Sequence, residues 1–391
     1  MFPTQFTGAS FTWERKKFSK IVQRISTTNS NKSLPNIEFE DIDSEIGTLN
    51  KSTSQLYKRK KGILFEKNNI LFGKLRPYLK KWFLTDFSGI AVGDFWVLKP
   101  SDNQARFVYY LIQTNSFYNV SNITSGTKMP RSDWTLVSKT KFYIPMKLSE
   151  KHKLGMILYS IDKLINLHER KCEELALIKK ALLQKLFPKK DEIKPEVRYK
   201  NFSDAWEQRK LGEVADVRDG THDSPKYINE GYPLLTSKNV GNGYINYDDV
   251  KYVSEKDYVQ INKRSKVDVN DILMGMIGTI GNLALIREEP DFAIKNVALI
   301  KYTSNFDHQF LFQELQTNSI SKELLSGMDG GTQKFVSLKK IRNLSVMFPS
   351  KNEQNQIGLS LARFDDLIAL HQRKLERLKQ LKKFLLQNMF I

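Results

Sequence analysis

The sequence predicts an α+β protein: two similar, mostly-β globular modules separated by two long helices that pack as an antiparallel coiled coil, with pseudo-twofold internal duplication. Three observations carry this expectation. Ile161-Asp162-Lys163-Leu164-Ile165-Asn166-Leu167-His168 returns as Phe364-Asp365-Asp366-Leu367-Ile368-Ala369-Leu370-His371, at an offset of 203 that holds through to Phe187 and Phe390. A repeat of that length settles the architecture before anything else is read. In both copies apolar positions recur at alternating steps of three and four, and outside them short apolar runs are separated by turn residues.

The first module is expected over 1–148. Asn69–Phe72, Gly89–Lys99 and Lys141–Pro145 are short apolar runs bounded by turn residues, which is how strands read, and Ala105–Thr114 reads as a helix. The first long helix follows over 149–187. Its seam is Leu158, Ile161, Ile165, His168, Cys172, Leu175, Lys179, Leu182 and Leu186, about four heptads. Pro188-Lys189-Lys190-Asp191-Glu192-Ile193-Lys194-Pro195 has two prolines, dense charge and no match at the amino terminus, so 188–205 reads as a linker. The second module is expected over 206–351, with strands at Tyr232–Leu235, Asp271–Ile277 and Ala293–Lys301 and a helix at Gln309–Gln316. The second long helix, 352–391, repeats the seam as Leu361, Phe364, Ile368, His371, Leu375, Leu378, Lys382, Leu385 and Met389. Each helix spans ~57 Å at ~1.5 Å per residue. The polar seam residues His168, His371, Lys179 and Lys382 fall at matching places, where such residues set register at a cost in stability.

The duplication extends into the modules with drifting offsets. Trp13-Glu14 and Lys17 return as Trp206-Glu207 and Lys210, and Ile70-Leu71-Phe72-Gly73 as Ile272-Leu273-Met274-Gly275. The helices have kept their sequence and the modules have not, which implies two versions of one job. The net charge of +19 and pI near 9.6 call for a polyanion partner, with nucleic acid first. The opening Met1-Phe2-Pro3-Thr4-Gln5-Phe6 has no apolar signal core, and no run approaches the ~18 apolar residues of a membrane span. A cytoplasmic protein without a membrane partner is expected. The lone Cys172 excludes an internal disulfide framework and lies on the apolar stripe, where Leu375 is its counterpart, so core packing is its expected role.

Basic side chains gather on turns. Lys74, Arg76 and Lys80 lie in the densest cluster, Lys128 and Arg131 in a second; Arg218, His222, Lys238, Asn239, Gln333 and Lys334 are the second module's candidates. Arg and Lys donate to guanine in the major groove and Asn or Gln pairs with adenine, so these eleven are the candidate DNA-binding residues. For any one of them a phosphate contact outweighs base readout. Catalytic chemistry is missing. No P-loop appears, and Gly275-Met276-Ile277-Gly278-Thr279-Ile280-Gly281 reads as a strand with tight turns. No Asn-Pro-Pro-Tyr stretch is present for an extruded base. The histidines have no evident metal companions. No catalytic residue and no metal site are expected.

The layout resembles the specificity subunit of type I restriction-modification systems, whose two target recognition domains alternate with two conserved helices. Trp206-Glu207-Gln208-Arg209-Lys210-Leu211-Gly212-Glu213-Val214 is similar to that family's entry to a recognition domain, with Trp13-Glu14-Arg15-Lys16-Lys17-Phe18 as its first copy. Asp271-Ile272-Leu273 and the stretch from Asn69 to Tyr78 are similar to its strand-turn signature, and Glu353-Gln354-Asn355-Gln356-Ile357 to its helix start. The resemblance covers essentially the whole chain. It implies a non-catalytic subunit that binds a bipartite, asymmetric sequence in double-stranded DNA, one half per domain, while the helices fix the separation. It further implies two modification (methyltransferase) subunits and restriction subunits as partners. S-adenosylmethionine, ATP and magnesium belong to those partners, and no cofactor is expected in this chain. Two other readings remain open at this point: a self-sufficient endonuclease with an unrecognised site, and a coiled-coil adaptor with no DNA role.

Overall fold

A computed structural model describes residues 12–123, 128–326 and 335–390. The chain divides into two compact units, Met1–Glu169 with Arg373–Ile391 and Arg170–Gln372, so the division falls inside both long helices.

In the first unit, β1 (Trp13–Lys17) pairs antiparallel with β10 (Lys141–Pro145). β2 (Val22–Ile25), β3 (Thr28–Asn29), β4 (Asn36–Ile37), β5 (Gly62–Phe65), β6 (Ile70–Gly73), β7 (Trp82–Leu84), β8 (Gly89–Ala91) and β9 (Phe95–Pro100) form two four-stranded sheets, ordered β2-β9-β6-β7 and β3-β5-β8-β4. The unbroken apolar run of β6 is buried along its length, as befits a central strand. The run Gly89–Lys99, expected as one strand, is two strands in different sheets. Gly93, at φ +94°, turns the chain from one sheet to the other.

The second unit repeats this plan. β11 (Glu207–Lys210) pairs with β19 (Ser345–Phe348), and β12 (Val217–Asp219), β15 (Ile272–Gly275), β16 (Leu283–Leu285) and β18 (Val297–Ile300) form a sheet ordered β12-β18-β15-β16. β13 (Tyr232–Thr236) runs parallel to β17 (Ala293–Lys295), as β4 does to β8. Here too the expected single run, Ala293–Lys301, breaks into β17 and β18, at Asn296 with φ +52°. The third sheets differ. The first unit lays β5 along β8, whereas the second lays β14 (Lys251–Val253) on the far side of β13 and packs the helix Glu255–Ser265 against β17.

The long helices run Leu148–Lys185 and Lys351–Asn388. Leu158, Ile161, Ile165 and Leu361 are buried, while His168, Leu175, Leu182, Phe364, Ile368, His371, Leu375, Leu378 and Leu385 are half-buried, as is Cys172. Within the first unit Asp162 pairs with Lys382 (2.7 Å) and Glu169 with Lys379 (2.9 Å); one helix number rises as the other falls, so the segments are antiparallel. Tyr110 Oη donates to Asp162 at 2.8 Å. The second unit builds the same clamp from equivalent residues: Lys179 pairs with Asp365 (2.7 Å), to which Gln313 Nε2 also donates (2.7 Å). Helix ends enter the module cores as equivalents as well, Phe390 stacking on Phe107 with ring centroids 5.5 Å apart and Phe187 lying tilted against Phe310 at 5.3 Å. Among the described residues no helix is long and apolar enough to cross a membrane.

Candidate nucleic-acid interface

Two basic segments of the first module that are far apart in sequence are fastened together. Leu75 bridges Arg131, the Arg76 amide donates to Pro130 O (2.8 Å), and the Ser132 amide donates to Lys74 O (2.9 Å). The guanidinium of Arg131 grips the Asp94 carboxylate with two bonds of 3.1 and 3.0 Å, and Lys74 approaches the same carboxylate at 3.6 Å. Arg131, against the opposing pull of burial, holds the Asp94 carboxyl below its usual range, with Lys74 adding to the effect. Arg76 stands on this mount exposed, at φ +45°, immediately before Pro77. Lys128 is exposed on the approach to the mount. Lys80 is directed elsewhere: its ammonium pairs with Glu45 (2.7 Å) and lies 5.5 Å from the Tyr118 ring, in a cavity of about 610 Å³ also lined by Asp162, Lys379 and Lys382.

The second module makes the same turn from other residues. Ile277 bridges Phe335 and the Val336 amide donates to Met276 O (3.0 Å), so Met276, Ile277 and Gly278 occupy the places of Lys74, Leu75 and Arg76. Gly278 has φ +72°, and a Cβ added there would meet nothing within 4 Å; the backbone conformation, not crowding, is what suits glycine. Phe335, in the place of Arg131, is 52% exposed.

Polar groups of this module gather instead beside β12. Asp219, buried at the strand end, accepts from Arg264 (2.5 Å) and from His222 Nε2 (2.7 Å), and His222 Nδ1 lies 2.8 Å from Asn296 Oδ1. Asn296 first, then Asp219, raise the His222 pKa against the cost of its partial burial. Arg218 pairs with Asp216 (2.6 Å) and donates to Arg264 O (3.2 Å), and Lys295 donates to Ser224 (2.7 Å). The geometry therefore brings Arg218 and His222 together and leaves Lys238 apart, paired with Asp249 at 2.7 Å.

One candidate is corrected. Asn239 has only 2% exposure, its Oδ1 accepts from the Thr236 amide (2.9 Å), and its Nδ2 donates to Asn246 O (3.0 Å). Its amide is committed to closing a turn and presents no edge to a base. Gln333 and Lys334 lie outside the described residues, as do Ser125, Gly126 and Thr127. Sequence reasoning missed Asp94, Arg264, Lys295, Asn296 and Phe335. None of them had a clear signal to offer: the repeat at Ser125-Gly126-Thr127 and Gly330-Gly331-Thr332 sets Arg131 opposite Val336, and only the bridges Leu75–Arg131 and Ile277–Phe335 make Phe335 its equivalent. Among the described residues no group of three or more His, Cys, Asp and Glu is placed to hold a metal ion.

The family model described as the type I restriction modification DNA specificity domain matches residues 12–177 and again 203–380. The MjaVIII type I restriction enzyme specificity subunit of Methanocaldococcus jannaschii is 26% identical over 290 residues, 71% of this chain and 67% of that protein. The EcoBI specificity subunit of Escherichia coli is 27% identical over 133 residues, 33% of this chain and 28% of its own length. A crystal structure of the S subunit of a type I restriction-modification system from M. genitalium superposes with a TM-score of 0.66 at 15% identity, over 100% of this chain and 99% of that one. The fold is thus shared well beyond recognisable sequence. With the family model matched twice, at the spacing of the internal repeat and over most of the residues, this chain belongs to the type I restriction-modification DNA specificity family.

Proposed function

We propose that the chain is the DNA-reading subunit of a type I restriction-modification complex, each module recognising one half of a bipartite, asymmetric target in the major groove, and that it performs no catalytic step itself. The long helices set the spacing between the half-sites and scaffold two modification subunits and the restriction subunits. S-adenosylmethionine, ATP and magnesium act in those partners.

One observation carries the reading: the same fastened turn occurs in both modules, presenting Arg76 and Arg131 in one and Gly278 and Phe335 in the other, while Met276, in the place of Lys74, is buried. A common frame that carries guanidinium groups in one module and a glycine and a phenyl ring in the other shows unlike surfaces to base edges, which is what an asymmetric target requires. The overall charge of +19 supplies the sequence-independent attraction to phosphates. The test is selection from a random DNA pool by the chain assembled with its modification subunits. Two defined blocks with an unspecified gap are expected, with affinity falling steeply as salt is raised. Recovery of one contiguous block, or of no sequence preference, overturns the proposal.

A further inference from the structure

We infer that Arg76 is the base-reading side chain of the first module, donating to a guanine edge, and that Lys74, Arg131 and Asp94 form the mount that aims it. This rests on the proposed DNA-reading role and names one residue within it. Of the cations that the turn brings together, Lys74 and Arg131 converge on Asp94, the latter through two parallel bonds that occupy its fork. Arg76 is exposed, and its guanidinium makes no hydrogen bond or ion pair with another described residue. Its backbone is nonetheless held by the Pro130 carbonyl, by the adjoining Leu75–Arg131 bridge and by the ring of Pro77. A fixed base carrying an uncommitted planar donor is what bidentate recognition of guanine O6 and N7 needs.

The backbone supplies the second argument. At φ +45° Arg76 is in the left-handed region, which arginine adopts rarely. The duplicated module shows what the turn favours when nothing else is asked of it, for glycine stands at the equivalent position, at φ +72°, with open space around it. An arginine kept against that preference marks a side chain in use, since unfavourable backbone conformations concentrate at functional sites. Lys80 is also left-handed, at φ +49°, but its ammonium is tied to Glu45.

The experiment compares the wild-type chain with Arg76→Gly and Arg76→Lys, each assembled with the modification subunits, by selection from a random DNA pool and by affinity for the selected target and its single-base variants. Arg76→Gly suits the backbone, so its thermal stability should equal or exceed that of the wild type. Discrimination at one guanine-containing base pair in a single half-site should fall roughly ten- to hundredfold, with the other half-site unaltered. Arg76→Lys should retain most of the affinity and lose most of that discrimination. A uniform loss of affinity for all sequences, with a shallower salt dependence, would identify a phosphate contact and overturn the inference; unchanged selection overturns it equally. Failure of the wild-type complex to select two blocks would instead sink the proposed function, so the two failures are distinct.

Discussion

Where its parallel strand pair ends, the first module buries Asp41 and the second buries Asn239. Each closes the turn through the same bond, from the Glu38 amide at 2.8 Å and from the Thr236 amide at 2.9 Å. Each main-chain carbonyl also accepts from the far side of the loop, from Asn50 and Asn246. The surroundings differ: Asp41 draws in Lys51 (2.5 Å) and Lys58 (3.3 Å), whereas the Asn239 amide is satisfied by a carbonyl. The same relation recurs at Leu111 and Glu314, at Arg76 and Gly278, and at Glu150 and Glu353. The coil clamps, Asp162 with Lys382 and Asp365 with Lys179, are by contrast built alike, as are the helix ends at Phe390 and Phe187. Backbone hydrogen bonding therefore preserves the frame while side-chain chemistry at equivalent positions is rebuilt, the freedom that two reading modules on one scaffold require.

The largest effect should come from the pair Glu150 and Glu353. Glu353, fully buried, receives two 2.7 Å bonds from the guanidinium of Arg198 in the linker, whereas Glu150 receives only the Trp13 indole N–H at 3.1 Å. Removing one partner of a buried ion pair strands the other, so Glu353→Ala should destabilise by about 3–5 kcal/mol. Glu150→Ala, which removes one neutral donor's acceptor, should cost about 1 kcal/mol. Denaturant unfolding of the two variants checks this, and equal losses would break the comparison.

Next comes Glu314, in the helix position that Leu111 fills in the first module. It is 3% exposed, one oxygen accepts from the Met347 amide and the other is unpaired. Burial raises its pKa well above the ordinary value, with the Met347 bond pulling the other way. An acid whose folded pKa is raised gives stability that is full below the unfolded value of 4.5 and is lost as pH climbs toward the folded one. Glu314→Gln keeps the shape and an acceptor without the charge. It should match the wild type near pH 4 and exceed it by about 1–3 kcal/mol at neutral pH. A difference that does not change with pH would refute the explanation.

The long helices were legible because their signal is periodic: each seam position contributes to a pattern that single exceptions such as Lys179 do not erase, and the duplication supplies a second reading of every residue. The turn after β6 was legible through its density of Lys, Arg, Gly and Pro. Its roles were not. Asp94, which decides that Arg131 is held and Arg76 is available, lies 37 residues from Arg131 and is an ordinary acid in the sequence. Asn239 was misread because a Lys-Asn pair on a turn looks the same whether the amide faces solvent or caps the turn. The breaks at Gly93 and Asn296 were hidden because a change of sheet needs only one residue at positive φ within an apolar run.

The smallest effect concerns His222, for which the first module's residues 12–147 have no counterpart, since they contain no histidine. Its bonds to Asn296 and Asp219 raise its pKa, so it carries charge to a higher pH than an ordinary histidine. With the folded pKa raised, its contribution to stability is complete below about 6.5 and disappears as pH rises through the folded value. If the polar cluster beside β12 faces DNA, the attraction of the imidazolium for phosphate fades over the same interval, and affinity should drop by a few-fold at most, as one screened contact allows. His222→Gln should flatten that slope while Arg76→Gly leaves it in place. If the slope persists in His222→Gln, the titrating group lies elsewhere, and the contrast between a charge-fixed first module and a pH-responsive second one fails.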